Sequence, residues 1–84
     1  IDGRVRTDAG NTLSRLRAKN ANADLRMMVA TDDDPLARAN AARALGAAED
    51  KEAVDALIKA ATEDADSRVR VSAIRSLVTI KDAK

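Results

Sequence analysis

Apolar residues recur along this chain at spacings of three and four, which is the spacing of one face of an α-helix. The pattern predicts five helices with short connections and no strand, at about 4–17, 21–30, 35–47, 52–62 and 67–80. The residues expected to face the core are, helix by helix, Val5, Ala9, Leu13 and Leu16; Leu25, Met28 and Val29; Ala37, Ala41, Leu45 and Ala48; Val54, Leu57, Ile58 and Ala61; and Val69, Ala73, Leu77 and Ile80. We therefore expect an all-α protein, with residues 81–84 frayed at the end of the last helix.

Acidic turns separate the predicted helices. In the turn at 31–35, Asp34 is placed to accept hydrogen bonds from the free N–H groups of the next helix. Pro35 follows at the first helical position, where its missing N–H costs nothing. The turn at 63–66 has the same acidic character. Both turns predict that a new helix starts directly after them.

The chain repeats itself every 32 residues. Aligning 2–33 with 34–65 gives eight identities, at Asp2, Arg6, Ala9, Leu13, Lys19, Ala21, Leu25 and Asp32. A third copy of the pattern follows at Asp66, Val69, Arg70, Ala73 and Leu77. The shared positions are those that helix packing needs, so we interpret the chain as one helical unit copied in tandem. Stacked units of this kind present an extended surface suited to binding.

Composition narrows the possible chemistry. The 84 residues allow one small domain, and the net charge of +1 creates no general attraction for nucleic acid or anionic lipid. The chain has no Cys, His, Phe, Tyr or Trp. Disulfides, thiolate chemistry and the commonest metal ligand are thereby excluded. We expect no enzyme activity, no metal and no cofactor.

The segment Asp64-Ala65-Asp66-Ser67-Arg68-Val69-Arg70, continued through Ala73 to Leu77, resembles the second helix of a HEAT repeat. The segment from Asp32 to Gly46 is also similar, closest to the short bacterial type called PBS-lyase-like HEAT repeats. The resemblance implies a right-handed α-α superhelix, or α-solenoid, across 1–84. It also implies an inner helix at 4–17 followed by two outer–inner pairs at 21–47 and 52–80. Because the chain starts inside a repeat without an initiator Met, we expect it to be a piece of a longer polypeptide.

Recurring arginines at positions 6, 38 and 70 allow two interpretations. They can form an anion-binding row, or they can be structural. The resemblance implies a structural role, in which this Arg ties adjacent repeats to a turn Asp: Asp32 precedes Arg38, and Asp64 precedes Arg70, by six residues. Asp34 and Asp66 stand four residues before the same arginines, a spacing that permits pairing within the helix. We favour the structural interpretation.

Polar residues on the opposite side of the inner helices are the candidate partner-binding residues, because inner helices line the concave face in this family. They are Asp8, Asn11 and Arg15 on the first inner helix, Asn40 and Arg43 on the second, and Ser72 and Arg75 on the third. Such a strip can accept an acidic or extended peptide through charge-assisted hydrogen bonds. The alternative is that these positions are merely solvated, since every soluble helix has a polar face.

Three classes of function remain open. The first is a non-catalytic scaffold for protein interaction or assembly, whose partner is a protein or another domain of the same polypeptide. The second is an accessory domain of a larger enzyme, such as a phycobilin-lyase-like protein. The third is binding of a nucleic-acid backbone through Arg15, Arg43 and Arg75, which the missing aromatics and the low net charge make the weakest. No membrane span or signal peptide is recognisable, which favours the cytoplasm although targeting signals can lie elsewhere in the parent chain.

Overall fold

The computed structural model describes residues 21–82, which fold into four α-helices. Helix α1 covers 21–31, α2 is Pro35–Ala47, α3 is Val54–Glu63 and α4 is Ser67–Asp82; a single 3-10 turn, Lys51–Ala53, leads into α3. No strand occurs within 21–82, so the all-helical prediction is confirmed for this part of the chain. The predicted helix at 4–17 lies outside the described residues. At the other end α4 continues through Asp82, two residues beyond the predicted boundary.

Aspartates define the starts of the helices. The Asp34 side chain accepts a hydrogen bond from the Leu36 N–H at 2.9 Å, and Pro35 occupies the first turn of α2 as predicted. Asp66 caps α4 by accepting from the Arg68 N–H at 2.8 Å. Asp50 accepts from the Glu52 N–H at 3.2 Å, so the chain already turns at Lys51 and enters α3 through the 3-10 segment. Each cap satisfies a backbone donor that a helix start leaves free.

The core lies between the helices and consists of small and medium-sized aliphatic side chains. Leu45, Leu57 and Val69 are the largest fully buried side chains among the described residues. Helix α4 is the central element, because both α2 and α3 pack against it. Around this core the predicted apolar residues Leu25, Met28, Val54, Ala61 and Leu77 are partly buried.

Two residues predicted for the core are exposed. Ala48 lies beyond the last residue of α2, and Ile58 lines a groove between α3 and α4 in which its side chain stays 47% exposed. Four alanines are buried that the single-face pattern did not select, namely Ala39, Ala42, Ala53 and Ala60. Ala39 and Ala42 are buried because α2 is buried on two sides, whereas a periodicity argument assigns one buried face to each helix. Ala53 and Ala60 stand four residues before and three residues after the buried Leu57, so they extend the face of α3 that was already predicted.

Helices α2 and α4 approach each other very closely at Gly46 and Ser76, both of which are buried. A Cβ atom added to Gly46 would lie 2.7 Å from the Ser76 Cβ and 2.8 Å from the Ser76 Cα, well inside van der Waals contact. The Ser76 hydroxyl donates a hydrogen bond to the carbonyl oxygen of Ala42, which satisfies this buried polar group. The glycine thus sets how closely the two helices pack.

Candidate functional site

Arg38 joins the turn before α2 to the turn before α4. Its Nε donates to Asp64 Oδ2 at 2.9 Å and its Nη2 to Asp64 Oδ1 at 3.2 Å, a bidentate pair between residues 26 positions apart. Its Nη1 donates to the carbonyl oxygens of Asp32 at 2.7 Å and Asp33 at 3.3 Å. The two paired side chains are only 17% and 8% exposed, so water screens the pair little.

The pair changes the acidity of both groups. Burial acts to raise the pKa of Asp64, but hydrogen bonds from Arg38 and the Asp66 N–H, together with the Arg38 charge, leave this pKa below its ordinary value. The hydrogen bond to Asp64 raises the pKa of Arg38. Both side chains are therefore held in their charged forms at neutral pH.

Arg70 occupies the equivalent position one repeat later. Its Nη1 donates to the carbonyl oxygen of Asp64 at 2.7 Å, the same contact that Arg38 makes with Asp32. The carboxylates four residues before these arginines have another task, since Asp34 and Asp66 cap α2 and α4. Asp66 also binds the guanidinium of Arg68, and the hydrogen bond from this side chain is the main cause that lowers the pKa of Asp66 to about 2.

A second link between the helical pairs was missed by sequence reasoning. Arg26 of α1 donates to the carboxylate of Asp50, and its Nη2 lies 3.4 Å from Glu52 Oε2. The partners are 24 residues apart, so no spacing rule within one helix finds them. The sequence shows only that a charged residue, Arg26, follows the core-facing Leu25 in α1, which does not identify its partner.

Three of the candidate partner-binding residues come together between α2 and α4. Arg43, Ser72 and Arg75 line one groove with Gly46 and Thr79. The same three residues also line an adjoining groove, to which Ser67, Arg68 and Val71 contribute. Asn40 is exposed on α2 but lines neither groove. Asp8, Asn11 and Arg15 lie outside the described residues.

The groove is positively charged. Within residues 21–82 no carboxylate forms an ion pair with Arg43 or Arg75, whereas Arg26, Arg38 and Arg68 are paired. Over the same range no group of acidic side chains is arranged to hold a metal ion. The groove offers hydrogen-bond donors and two positive charges, an arrangement that is suited to binding carboxylates.

Several large apolar side chains are exposed on the surface of α1, α3 and α4. Met27 is 68% exposed on α1, next to the partly buried Met28. On α3 and α4, four branched aliphatic side chains are about half exposed, namely Ile58, Val71, Ile74 and Val78. The three on α4 recur at spacings of three and four, so they form a second apolar stripe beside the core-facing one.

Comparison with known proteins gives one family. The family model described as HEAT repeats matches residues 23–84. No curated protein and no solved structure gives a significant match to the chain. None of the helices within 21–82 has the length and apolar character needed to cross a membrane.

Proposed function

The chain belongs to the HEAT repeat family, and we propose that it is a non-catalytic module that binds an acidic, extended segment of a protein along the groove between α2 and α4. HEAT repeats are in general protein-interaction modules. The observation that carries the choice of face is the convergence of Arg43, Ser72 and Arg75 on one groove. The bound segment belongs to a separate protein or to another domain of the same polypeptide.

The spacing of the two arginines supports an extended ligand. Arg43 and Arg75 occupy the same position of successive repeats, one on α2 and one on α4. A peptide crossing both helices would meet one guanidinium per repeat, and each guanidinium can donate two parallel hydrogen bonds to a carboxylate. Ser72 adds a hydroxyl that can bind the peptide backbone between them.

Ion pairs at the turns hold the helices on both sides of the groove in fixed positions. Arg38 fixes the start of α2 to the turn before α4 through Asp64, and Arg26 fixes α1 to the turn before α3 through Asp50. Because the two helical pairs are held by these links and by the close Gly46–Ser76 contact, the groove needs little ordering when a ligand binds. Less free energy is then lost on binding.

The proposed organisation of the chain follows the same repeat. We infer an inner helix at 4–17 and two outer–inner pairs at 21–47 and 52–80, stacked as a right-handed superhelix with α2 and α4 on its concave side. The 32-residue register of Arg38 with Arg70, and of Asp34 with Asp66, supports this stacking, because equivalent residues make equivalent contacts.

The test is a binding titration with a fluorescently labelled oligo-glutamate peptide. Replacing both Arg43 and Arg75 with Ala is expected to weaken binding by roughly tenfold or more, because a hydrogen bond to a charged group contributes about 1.5–3 kcal/mol. The matched control replaces Lys51 and Lys59 with Ala; both are exposed and neither lines the groove, and the net charge falls by the same amount. Binding that falls equally in both variants, or that is absent in the wild type, contradicts the proposal.

The same titration with single-stranded DNA and RNA separates this function from nucleic-acid binding. Affinity for any oligonucleotide that exceeds the affinity for the peptide and falls steeply with salt would indicate phosphate contacts instead. Absorbance titration with a tetrapyrrole tests the accessory-enzyme alternative.

A further inference from the structure

A separate groove lies between α3 and α4. Its volume is about 570 Å³, within the range of roughly 300–1,000 Å³ that small-molecule sites occupy. The residues that line it are Lys51, Val54, Ile58, Leu77, Ile80 and Lys81. None of them lines the grooves between α2 and α4, so this site and the proposed peptide site can be tested independently.

The middle of the groove is an apolar slot. Ile80 is only 4% exposed and forms its floor, with the partly buried Val54 and Leu77 beside it. Ile58 also lines the slot and keeps 47% of its surface exposed. Among the described residues that line the groove, only the two lysines are polar. The slot therefore favours an occupant made of hydrocarbon, which gains free energy when it leaves water.

The two lysines stand at one end of this slot. Helices α3 and α4 pack against each other and are joined by the short turn 64–66, so they run antiparallel. Lys51 lies just before α3 and Lys81 near the end of α4, so both are at the end of the slot far from that turn. Both are exposed, and neither forms an ion pair within residues 21–82. The groove thus has a cationic end and an apolar end.

The preceding helical pair shows how this chain closes the equivalent surface by itself. There Leu45 is fully buried, and Arg26 of α1 donates to the carboxylate of Asp50. In the groove, Ile58 stands 32 residues after Arg26, and the exposed Asp82 stands 32 residues after Asp50. An isoleucine cannot bind a carboxylate. The groove therefore lacks this closing link, and it can pair with a carboxylate only at its lysine end.

The size of the slot favours a small linear ligand over a protein. From Lys51 to Ile58 the chain advances seven residues, or about 10 Å at the helical rise. A stable protein interface needs about 800 Å² from each partner. Four aliphatic side chains along one short slot supply far less than that. A single alkyl chain of similar length, in contrast, contacts both walls of the slot while its head group reaches the lysines.

We propose that this groove binds a straight-chain aliphatic carboxylate of medium length, such as octanoate, as a free small molecule. The carboxylate lies between Lys51 and Lys81 and accepts charge-assisted hydrogen bonds from their ammonium groups. The alkyl chain runs along the slot toward Ile58, over Val54 and Ile80.

The first test is a titration of the 84-residue chain with sodium octanoate, followed by two-dimensional amide NMR. Saturable shifts are expected at 51–58 and 77–81. Hexanoate is expected to bind more weakly, by up to about fourfold for each CH₂ removed. The alcohol n-octanol carries the same tail without the charge, so it is expected to shift the same residues with lower affinity.

The second test separates the contributions of charge and tail. The double variant Lys51→Gln, Lys81→Gln is expected to weaken octanoate roughly fivefold, the effect of losing exposed ion pairs, and to bind n-octanol as the wild type does. Ile58→Ser is expected to weaken both ligands. Leu36→Ser is the matched control, since Leu36 is 52% exposed and lies outside the groove. Circular dichroism establishes that each variant remains folded.

Three outcomes overturn the proposal. The first is the absence of saturable shifts at the groove, or equal shifts with acetate, which has no tail. The second is octanoate binding that the double lysine variant leaves unchanged. The third is binding to phosphatidylglycerol vesicles without binding to octanoate, which would identify a membrane surface instead. The variant Lys51→Ala, Lys59→Ala is expected to weaken octanoate but to keep the oligo-glutamate peptide, so failure of either proposal is visible separately.

Discussion

Replacing Gly46 with Ala tests the close approach of α2 and α4. Two effects of opposite sign compete. Alanine favours a helix over glycine by up to about 1 kcal/mol. The added methyl group, however, would lie 2.7 Å from the Ser76 Cβ and 2.8 Å from the Ser76 Cα.

The steric cost is expected to exceed the helix preference. Carbon atoms pack at about 3.5 Å or more, so α2 and α4 must separate locally by roughly 0.7 Å. A gap of that size removes a quarter to a half of each dispersion contact along the interface, which includes the fully buried Ala42. Overpacking of this kind costs about 1–3 kcal/mol. Because the clash involves the backbone Cα of Ser76, we expect the upper part of this range, about 2–3 kcal/mol. After a helix preference of about 1 kcal/mol is subtracted, the expected net loss is about 1–2 kcal/mol, or roughly 5–15 °C in Tm for a domain of this size.

Urea and thermal denaturation followed by far-UV circular dichroism measure this loss. Ala47→Gly is the matched control, because it places glycine at the neighbouring exposed position and measures the helix preference at this end of α2 without the contact. The control is expected to lose no more than about 1 kcal/mol. If Gly46→Ala were as stable as the wild type or more stable, the close packing described for these helices would be wrong.

The remaining predictions concern the turns. Acid is expected to destabilise the fold as the pH falls from about 4 toward 2, because the folded-state pKa values of Asp64 and Asp66 are depressed and the unfolded chain binds protons first. The variant Asp64→Asn should flatten this part of a stability–pH curve and lower Tm at neutral pH. A curve that this substitution leaves unchanged would contradict the stabilising role of the Arg38–Asp64 pair. Glu49 follows α2 with φ 53°, in the left-handed region that glycine adopts more easily than other residues. Glu49→Gly is therefore expected to raise the free energy of unfolding, measured by urea denaturation, by about 0.5–1 kcal/mol. Asp34→Ala is expected to lose about 1 kcal/mol with the cap of α2, and Asp34→Asn, which keeps an acceptor, should lose less.

The elements within one helix or one turn were predictable from sequence. The bounds of α2 and its cap by Asp34 follow from the proline, the aspartate and the spacing of Ala41 and Leu45, all of which act over a few residues. The starts of the other helices were predicted less well where a 3-10 turn intervenes, as at Lys51.

Contacts between repeats were much harder to predict. The buried Ser76 and the link from Arg26 to Asp50 depend on which faces of distant helices meet, and no periodicity within one helix encodes that. Exposure of Ile58 was missed for the same reason, since an apolar residue at a helical spacing is indistinguishable in sequence from a core residue. The partner-binding residues on 4–17 lie outside the described residues, and those on α2 and α4 stay a prediction.

The link between Arg38 and Asp64 has a consequence for how the chain can be divided. The hairpin of α1 and α2, residues 21–47, contributes the guanidinium groups of Arg38 and Arg26. The hairpin of α3 and α4, residues 48–82, contributes the carboxylates that receive them, Asp64 and Asp50. Neither hairpin contains its own complete set of partners, so each would expose unmatched charge and apolar surface if separated. Cutting between the hairpins should therefore yield two unfolded peptides, and the intact chain should lose both hairpins in a single cooperative transition.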